Sequence, residues 1–270
     1  HPHPPTPDPL WSRGLGDVYK RQELRSLILG DLGLEVPVAT TQVVGRDRYI
    51  EWVGWMANVA TSIEKILQEV RNLQRTEIGE VAEEFDSEKQ VGSSTMAHKK
   101  NPITAENACG LARVVRSMII PSYENALLWH ERDLANSSSE RFTLSHSMIL
   151  LDDVISKCNK VLSGLVVDGE RMRKNIVDQK GLIMAEKVML ELVDRGMPRD
   201  QAHEELRSAS MQAVESGSNL QDICRDLDGI MKFFEEDEVA DLFEPESHLG
   251  SSKQIGDNSV SLARELCSKY

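Results

Sequence analysis

The chain has 270 residues and carries 44 acidic against 31 basic side chains, a formal net charge of −13. That surplus excludes broad binding to nucleic acid or anionic membrane, so an anionic ligand must meet a local basic pocket. Aromatic residues make up only 5% of a chain rich in leucine, alanine, valine, glutamate and lysine, which favours helix over sheet and predicts an all-α protein.

No apolar run reaches the ~18 residues of a membrane span and no signal-peptide pattern opens the sequence, so no membrane partner and a cytoplasmic location are expected. Cys109, Cys158, Cys224 and Cys267 show no CxxC and no metal-ligand spacing. They read as buried thiols in a reducing compartment, with no metal or cofactor called for.

Residues 1–22 hold five prolines in the first nine positions, which block helix and sheet alike. They read as an unstructured extension or an assembly artefact. From Asp47 to about Ile78 the apolar residues Ile50, Val53, Met56, Val59, Ile63, Ile66, Val70 and Leu73 recur every three or four positions, predicting one long helix. Two more long patterns run from Ile103 to about Leu128, where Pro121 should kink or end the helix, and from Ser138 to about Leu165. Three such helices imply a bundle, placed in a partial central domain over 23–167. Beyond Val167 the predicted helices shorten to 168–176, 181–195, 199–215 and 219–227, punctuated by Gly181, Gly196-Met197-Pro198 and Gly217. This is a smaller C-terminal helical domain over 168–270, in which "FFEEDEVADLFEPE" reads as a solvated acidic helix rather than a binding tail.

Two stretches could carry chemistry. In "QVGSSTMAHKKNP", residues 90–102, Gly92 permits close backbone approach, Ser93, Ser94 and Thr95 add hydroxyls, and Lys99 and Lys100 add charge. Asn101 and Pro102 fit an N-cap and a first helical position, which would turn the positive end of the next helix toward the loop. The alternative is a solvated connector with a helix cap. In "LLWHERDLANSSSER", residues 127–141, the cations Arg132 and Arg141 with Ser137 suit a phosphate or carboxylate. There the alternative is a turn between helices, capped by Asp133 or Ser137, with ordinary ion pairs.

The run "GSSTMAHKKNP" resembles the signature of the fumarase/aspartase superfamily, usually GSSxMPxKxNP. Together with "TTQVVGRDRY" and "WHERDLANSSSER", it is most similar to the adenylosuccinate lyases within that superfamily, from about Glu23 onward. The resemblance implies a long-helix bundle of the fumarase/aspartase type in a homotetramer, acting on a small nucleotide substrate. The reaction implied is anti β-elimination of fumarate from adenylosuccinate and from the succinylated aminoimidazole carboxamide ribotide.

By the resemblance Ser93 is the general base, which its loop donors must activate because a hydroxyl is otherwise a weak base. Lys99 stabilises the aci-carboxylate, and Glu106 orients the acid histidine of a neighbouring subunit. Gln42, Ser94 and Asn101 contact substrate, Asn101 at the fumaryl carboxylate. Arg132, Ser137 and Arg141 contact the nucleotide, chiefly its phosphate, and Arg46 is a further candidate, the alternatives being a plain helix-start arginine for Arg46 and a solvated first-turn glutamate for Glu106. Two departures stand out. Ala97 replaces the usual proline, which leaves the loop less pre-ordered. None of the seven histidines lies in the family's general-acid context. The expectation is a chain carrying the base loop and much of the nucleotide site but not the acid. The alternatives are another fumarate-releasing lyase or cycloisomerase of the superfamily, or a catalytically incomplete assembly subunit.

Overall fold

The structure, a computed structural model, describes residues 22–38, 43–84, 100–130 and 134–269. The expected N-terminal extension lies outside them apart from Gln22. The chain divides into two compact units, His1–Val167 and Asp168–Tyr270.

In the first unit α1 (Gln22–Asp31) precedes the long α2 (Asp47–Leu73), followed by α3 (Ile103–Ser117), α4 (Ile119–Glu124) and α5 (Ala135–Ser163). Two minimal strands, β1 (Val81–Ala82) and β2 (Val166–Val167), pair antiparallel, Val81 opposite Val167. Otherwise the described residues are helix and loop, as the composition predicted.

Small residues set the packing. On α3, Ala105, Ala108, Cys109 and Ala112 fall at i, i+3, i+4 and i+7 and are all buried, so α2 and α5 can approach its backbone closely. Val53, Met56 and Ala60 of α2, Ala112 and Val115 of α3 and Leu151 of α5 form one core cluster.

The expected helix boundaries shift for local reasons. Helix α2 stops at Leu73 rather than near Ile78 because Gly79, at φ +66°, turns the chain back, with its N–H on Arg75 O at 2.7 Å and the Glu80 N–H on Leu73 O at 3.1 Å. The second predicted long helix breaks at Met118 and ends at Glu124, short of Leu128. Pro121 then sits in the first turn of α4, where an amide hydrogen has no intrahelical partner to lose. Helix α5 begins after Leu134 with no side-chain cap, so Ser137 does not cap it and Asp133 lies outside the described residues.

The second unit contains α6 (Gly169–Val177), α7 (Ala185–Asp194), α8 (Arg199–Ser216), α9 (Leu220–Arg225), α10 (Asp228–Met231), α11 (Glu236–Leu242) and α12 (Ser252–Cys267). Its core gathers Val188, Leu192, Met197, Leu206, Leu220, Ile230 and Phe234 with Val239 and Leu242 of α11. The acidic segment is therefore not simply solvated: Glu235, Asp237 and Asp241 are exposed, Glu238 pairs with Arg195, and Phe234, Val239 and Leu242 belong to the core.

The cysteines also divide. Cys109, Cys158 and Cys224 are buried, and burial pushes the Cys224 thiol up to about 12. Cys267 is exposed near the end of α12, against expectation, because α12 buries none of its residues. No helix among the described residues is long and apolar enough to cross a membrane.

Candidate functional site

Of the predicted site residues, Asn101, Glu106, Ser137 and Arg141 are described. Ser93, Ser94, Lys99, Gln42 and Arg132 lie outside the described residues, as does Ala97. Asn101 and Glu106 are brought together. They line a cavity of about 900 Å³ at the C-terminal end of α2, along with Arg71, Gln74, Arg75 and Lys100. Among the described residues three cations stand against one carboxylate, the balance of the local basic pocket that an acidic chain needs for an anionic ligand.

The side chains are held in different ways. Arg71 donates from Nη1 to Gln68 Oε1 at 2.7 Å and lies beside the Cys109 thiol, whose proton affinity is raised by burial against the pull of that guanidinium. Arg71 Nε is buried without a partner among the described residues. Arg75 donates to Asn72 O at 3.3 Å and meets no carboxylate there. The Asn101 carboxamide and the Glu106 carboxylate likewise have no side-chain partner among the described residues, so both can turn to a ligand. Sequence reasoning missed Arg71 and Arg75, although their i, i+4 spacing at the end of α2 places them on one face.

The N-terminus of α3 departs from expectation. The N-cap is Pro102, not Asn101, and it offers no side-chain acceptor. The first-turn amides are taken instead by Glu83, from before the signature loop: Ala105 N–H donates to Oε1 at 2.6 Å and Thr104 N–H to Oε2 at 3.2 Å. The positive end of this helix is thus occupied by a carboxylate of the same chain. No local motif signals this cap, because donor and acceptor are 21 and 22 residues apart.

Ser137 and Arg141 stand one turn apart at the start of α5, and the exposed Arg141 guanidinium has no carboxylate partner among the described residues. Beside them Arg46 and Glu140 form a two-pronged ion pair, Nε to Oε1 at 2.7 Å and Nη2 to Oε2 at 3.3 Å, and Asn136 adds a third hydrogen bond at 2.8 Å. Burial works to raise the Glu140 carboxyl, but hydrogen bonds from Arg46 and Asn136 outweigh it and hold the group below its ordinary range. The Glu140 hydrogen bond raises Arg46 in turn. Arg46 therefore brackets the start of α2 to α5.

These two groups do not meet within one chain. Arg46 marks the N-terminal end of α2 and the basic cleft its C-terminal end. The 27 residues of α2 separate them by roughly 40 Å at about 1.5 Å per residue.

Comparison with known proteins gives these positions a context. Residues 18–117 match a lyase family and residues 181–258 match the adenylosuccinate lyase C-terminus. The adenylosuccinate lyase of Archaeoglobus fulgidus is 43% identical over 244 residues, 90% of this chain and 55% of the relative. That of Pyrococcus abyssi is 45% identical over 247 residues, 92% and 54% of the two. The chain belongs to the adenylosuccinate lyase family. It spans about half the length of the curated relatives it matches.

Solved structures agree on the fold. A 3-carboxy-cis,cis-muconate lactonizing enzyme from Pseudomonas putida superposes with a TM-score of 0.76 at 27% identity, covering 87% of this chain and 50% of that one. A β-carboxy-cis,cis-muconate cycloisomerase from Acinetobacter calcoaceticus gives 0.77 at 27% identity over 93% and 55% of the two chains. Both solved structures therefore share the helical fold of this chain.

Proposed function

We propose that this chain supplies the base loop and the nucleotide contacts of an adenylosuccinate lyase. Ser93 takes the proton from the carbon next to a carboxylate, the carbon–nitrogen bond breaks, and fumarate leaves as the nitrogen is protonated. Lys99 stabilises the aci-carboxylate formed on the way, and Asn101 holds the fumaryl carboxylate. Adenylosuccinate gives AMP, and the succinylated aminoimidazole carboxamide ribotide gives its carboxamide. Gln42 and Ser94 contact substrate, and Arg132, Ser137 and Arg141 bind the nucleotide part. Such a substrate fits a cytoplasmic enzyme of purine biosynthesis.

The basic cleft carries this reading. Asn101, inside the signature run, and Glu106, four residues beyond it, have no side-chain partner among the described residues, and the net positive lining described suits the dicarboxylate part of the substrate. Since Arg141 lies at the far end of α2, a complete site draws Ser137 and Arg141 from another copy, with Glu106 serving a neighbour's acid histidine. The exposed apolar face of the first unit, with Trp52, Trp55, Phe142 and Ile149, supports assembly into a homotetramer.

The experiment is fumarate release from adenylosuccinate by the purified chain, alone and mixed with the part of the Archaeoglobus fulgidus relative that this chain does not cover. Little release is expected alone, since no histidine sits in the acid context. Release is expected on mixing, and Ser93→Ala should lower it below about a tenth. Turnover of 3-carboxy-cis,cis-muconate in place of adenylosuccinate would favour the cycloisomerase reading. Assembly with no turnover of either would favour a structural subunit.

A further inference from the structure

Glu83 is a buried carboxylate with no cation against it among the described residues, yet its hydrogen bonds are made. Its two oxygens take the Thr104 and Ala105 amides, two of the first-turn donors that a helix leaves unpaired. Its own N–H donates to Gln74 Oε1 at 3.0 Å, and Gln74 Nε2 donates to Lys100 O at 3.3 Å. Gln74 is the C-cap residue of α2 and Glu83 directly follows β1, itself paired to β2. One network thus ties the end of α2, the exit of β1 and the start of α3.

We propose that Glu83 and Gln74 form a clip that fixes the first turn of α3 against the end of α2 and so positions Asn101 and Glu106 in the basic cleft. Neither residue touches the cleft ligand through its clip contacts; both act through the backbone they hold. The carboxylate suits the task because it accepts from both amides at once at the positive end of a helix dipole. A carboxamide in its place offers one acceptor and turns an N–H₂ donor toward the other amide. The consequence for catalysis rests on the lyase reading, whereas the clip itself does not.

The test uses the 270-residue chain with Glu83→Gln, Gln74→Leu and, as control, the neighbouring Glu84→Gln. Amide hydrogen exchange should quicken at least tenfold at Thr104 and Ala105 in Glu83→Gln, while Ala112 and Val115, deeper in α3, keep their rates. The Asn101 side-chain amide resonances, which report its surroundings without ligand, should shift in Glu83→Gln and in Gln74→Leu but not in Glu84→Gln. Gln74→Leu keeps the carboxylate cap, so it moves Asn101 with little change at Thr104 and Ala105, and it serves if Glu83→Gln fails to fold. Unchanged exchange in Glu83→Gln would overturn the clip, and faster exchange with unmoved Asn101 resonances would overturn its positioning role. Titration with fumarate separates the two readings. A chain that shows these shifts but does not bind fumarate keeps the clip and loses the reading of the basic cleft as the fumaryl site.

Discussion

The two units solve the same packing problem differently. In the second, short helices close around a shared core in which Leu192, Leu220 and Ile230 are fully buried, so α7 to α11 cover one another. In the first, long helices bury one stripe and leave another bare: Trp52 and Trp55 stack with ring centroids 5.0 Å apart yet remain about half exposed, and Phe142, Ile149 and Leu162 of α5 are exposed too. A helix apolar on two faces is made to be covered twice. The first unit leaves an apolar stripe of its long helices bare; the second closes a core of its own from α7 to α11, while α12 buries nothing.

The sharpest way to break this contrast is at the core of the second unit. Leu220→Ala should cost about 2–5 kcal/mol, as expected for a fully buried leucine. The effect should be local and easy to separate, because Trp52, Trp55 and Trp129 lie in the first unit and none of the four tryptophans lies in the second. Circular dichroism should show an early loss of helix that tryptophan fluorescence does not follow. Coincident transitions would show that the units melt together.

A charge on the bare face tests the other half of the contrast. Trp55→Glu should weaken self-association at least tenfold, about 1.4 kcal/mol or more, as seen by light scattering, with the melting of the second unit unmoved. An unchanged assembly would place the association elsewhere.

The smallest effect concerns the bracket inside the first unit. Arg46→Met leaves Glu140 without its cation and should destabilise the unit by about 1 kcal/mol near neutral pH. The sign of the pH dependence follows from the lowered Glu140 carboxyl. Its contribution is complete above the ordinary carboxylate range and is lost as the pH falls through the lowered folded-state value. Acid unfolding followed by fluorescence should therefore be flatter for Arg46→Met than for the parent chain.

What the sequence disclosed depended on how local the signal was. Periodicity along Val53, Met56 and Val70 was enough to find α2, and Pro121 marked a real interruption. Gly79 escaped notice because a left-handed turn leaves no trace in an apolar pattern that seems to continue to Ile78. In the site, the signature run pointed to Asn101 and Glu106, and both line the cleft. Sequence reasoning gave Asn101 the capping role of Glu83, since a cap is normally sought next to the helix it serves. Arg46 was left open between a substrate contact and a plain helix-start arginine because its partner Glu140 is 94 residues away. Residues paired across such distances have no periodicity or adjacent motif to announce them.

The smallest sheet in the molecule bears on the order of folding. Pairing Val81 with Val167 closes a loop that contains α3, α4 and α5, at a chain-entropy cost of about 4 kcal/mol or more from length alone. Two residues a side return too little to meet that cost unaided. The ladder therefore forms late, after α2, α3 and α5 have already brought its ends together, and the stem that carries Glu83 into place is among the last parts of the first unit to lock.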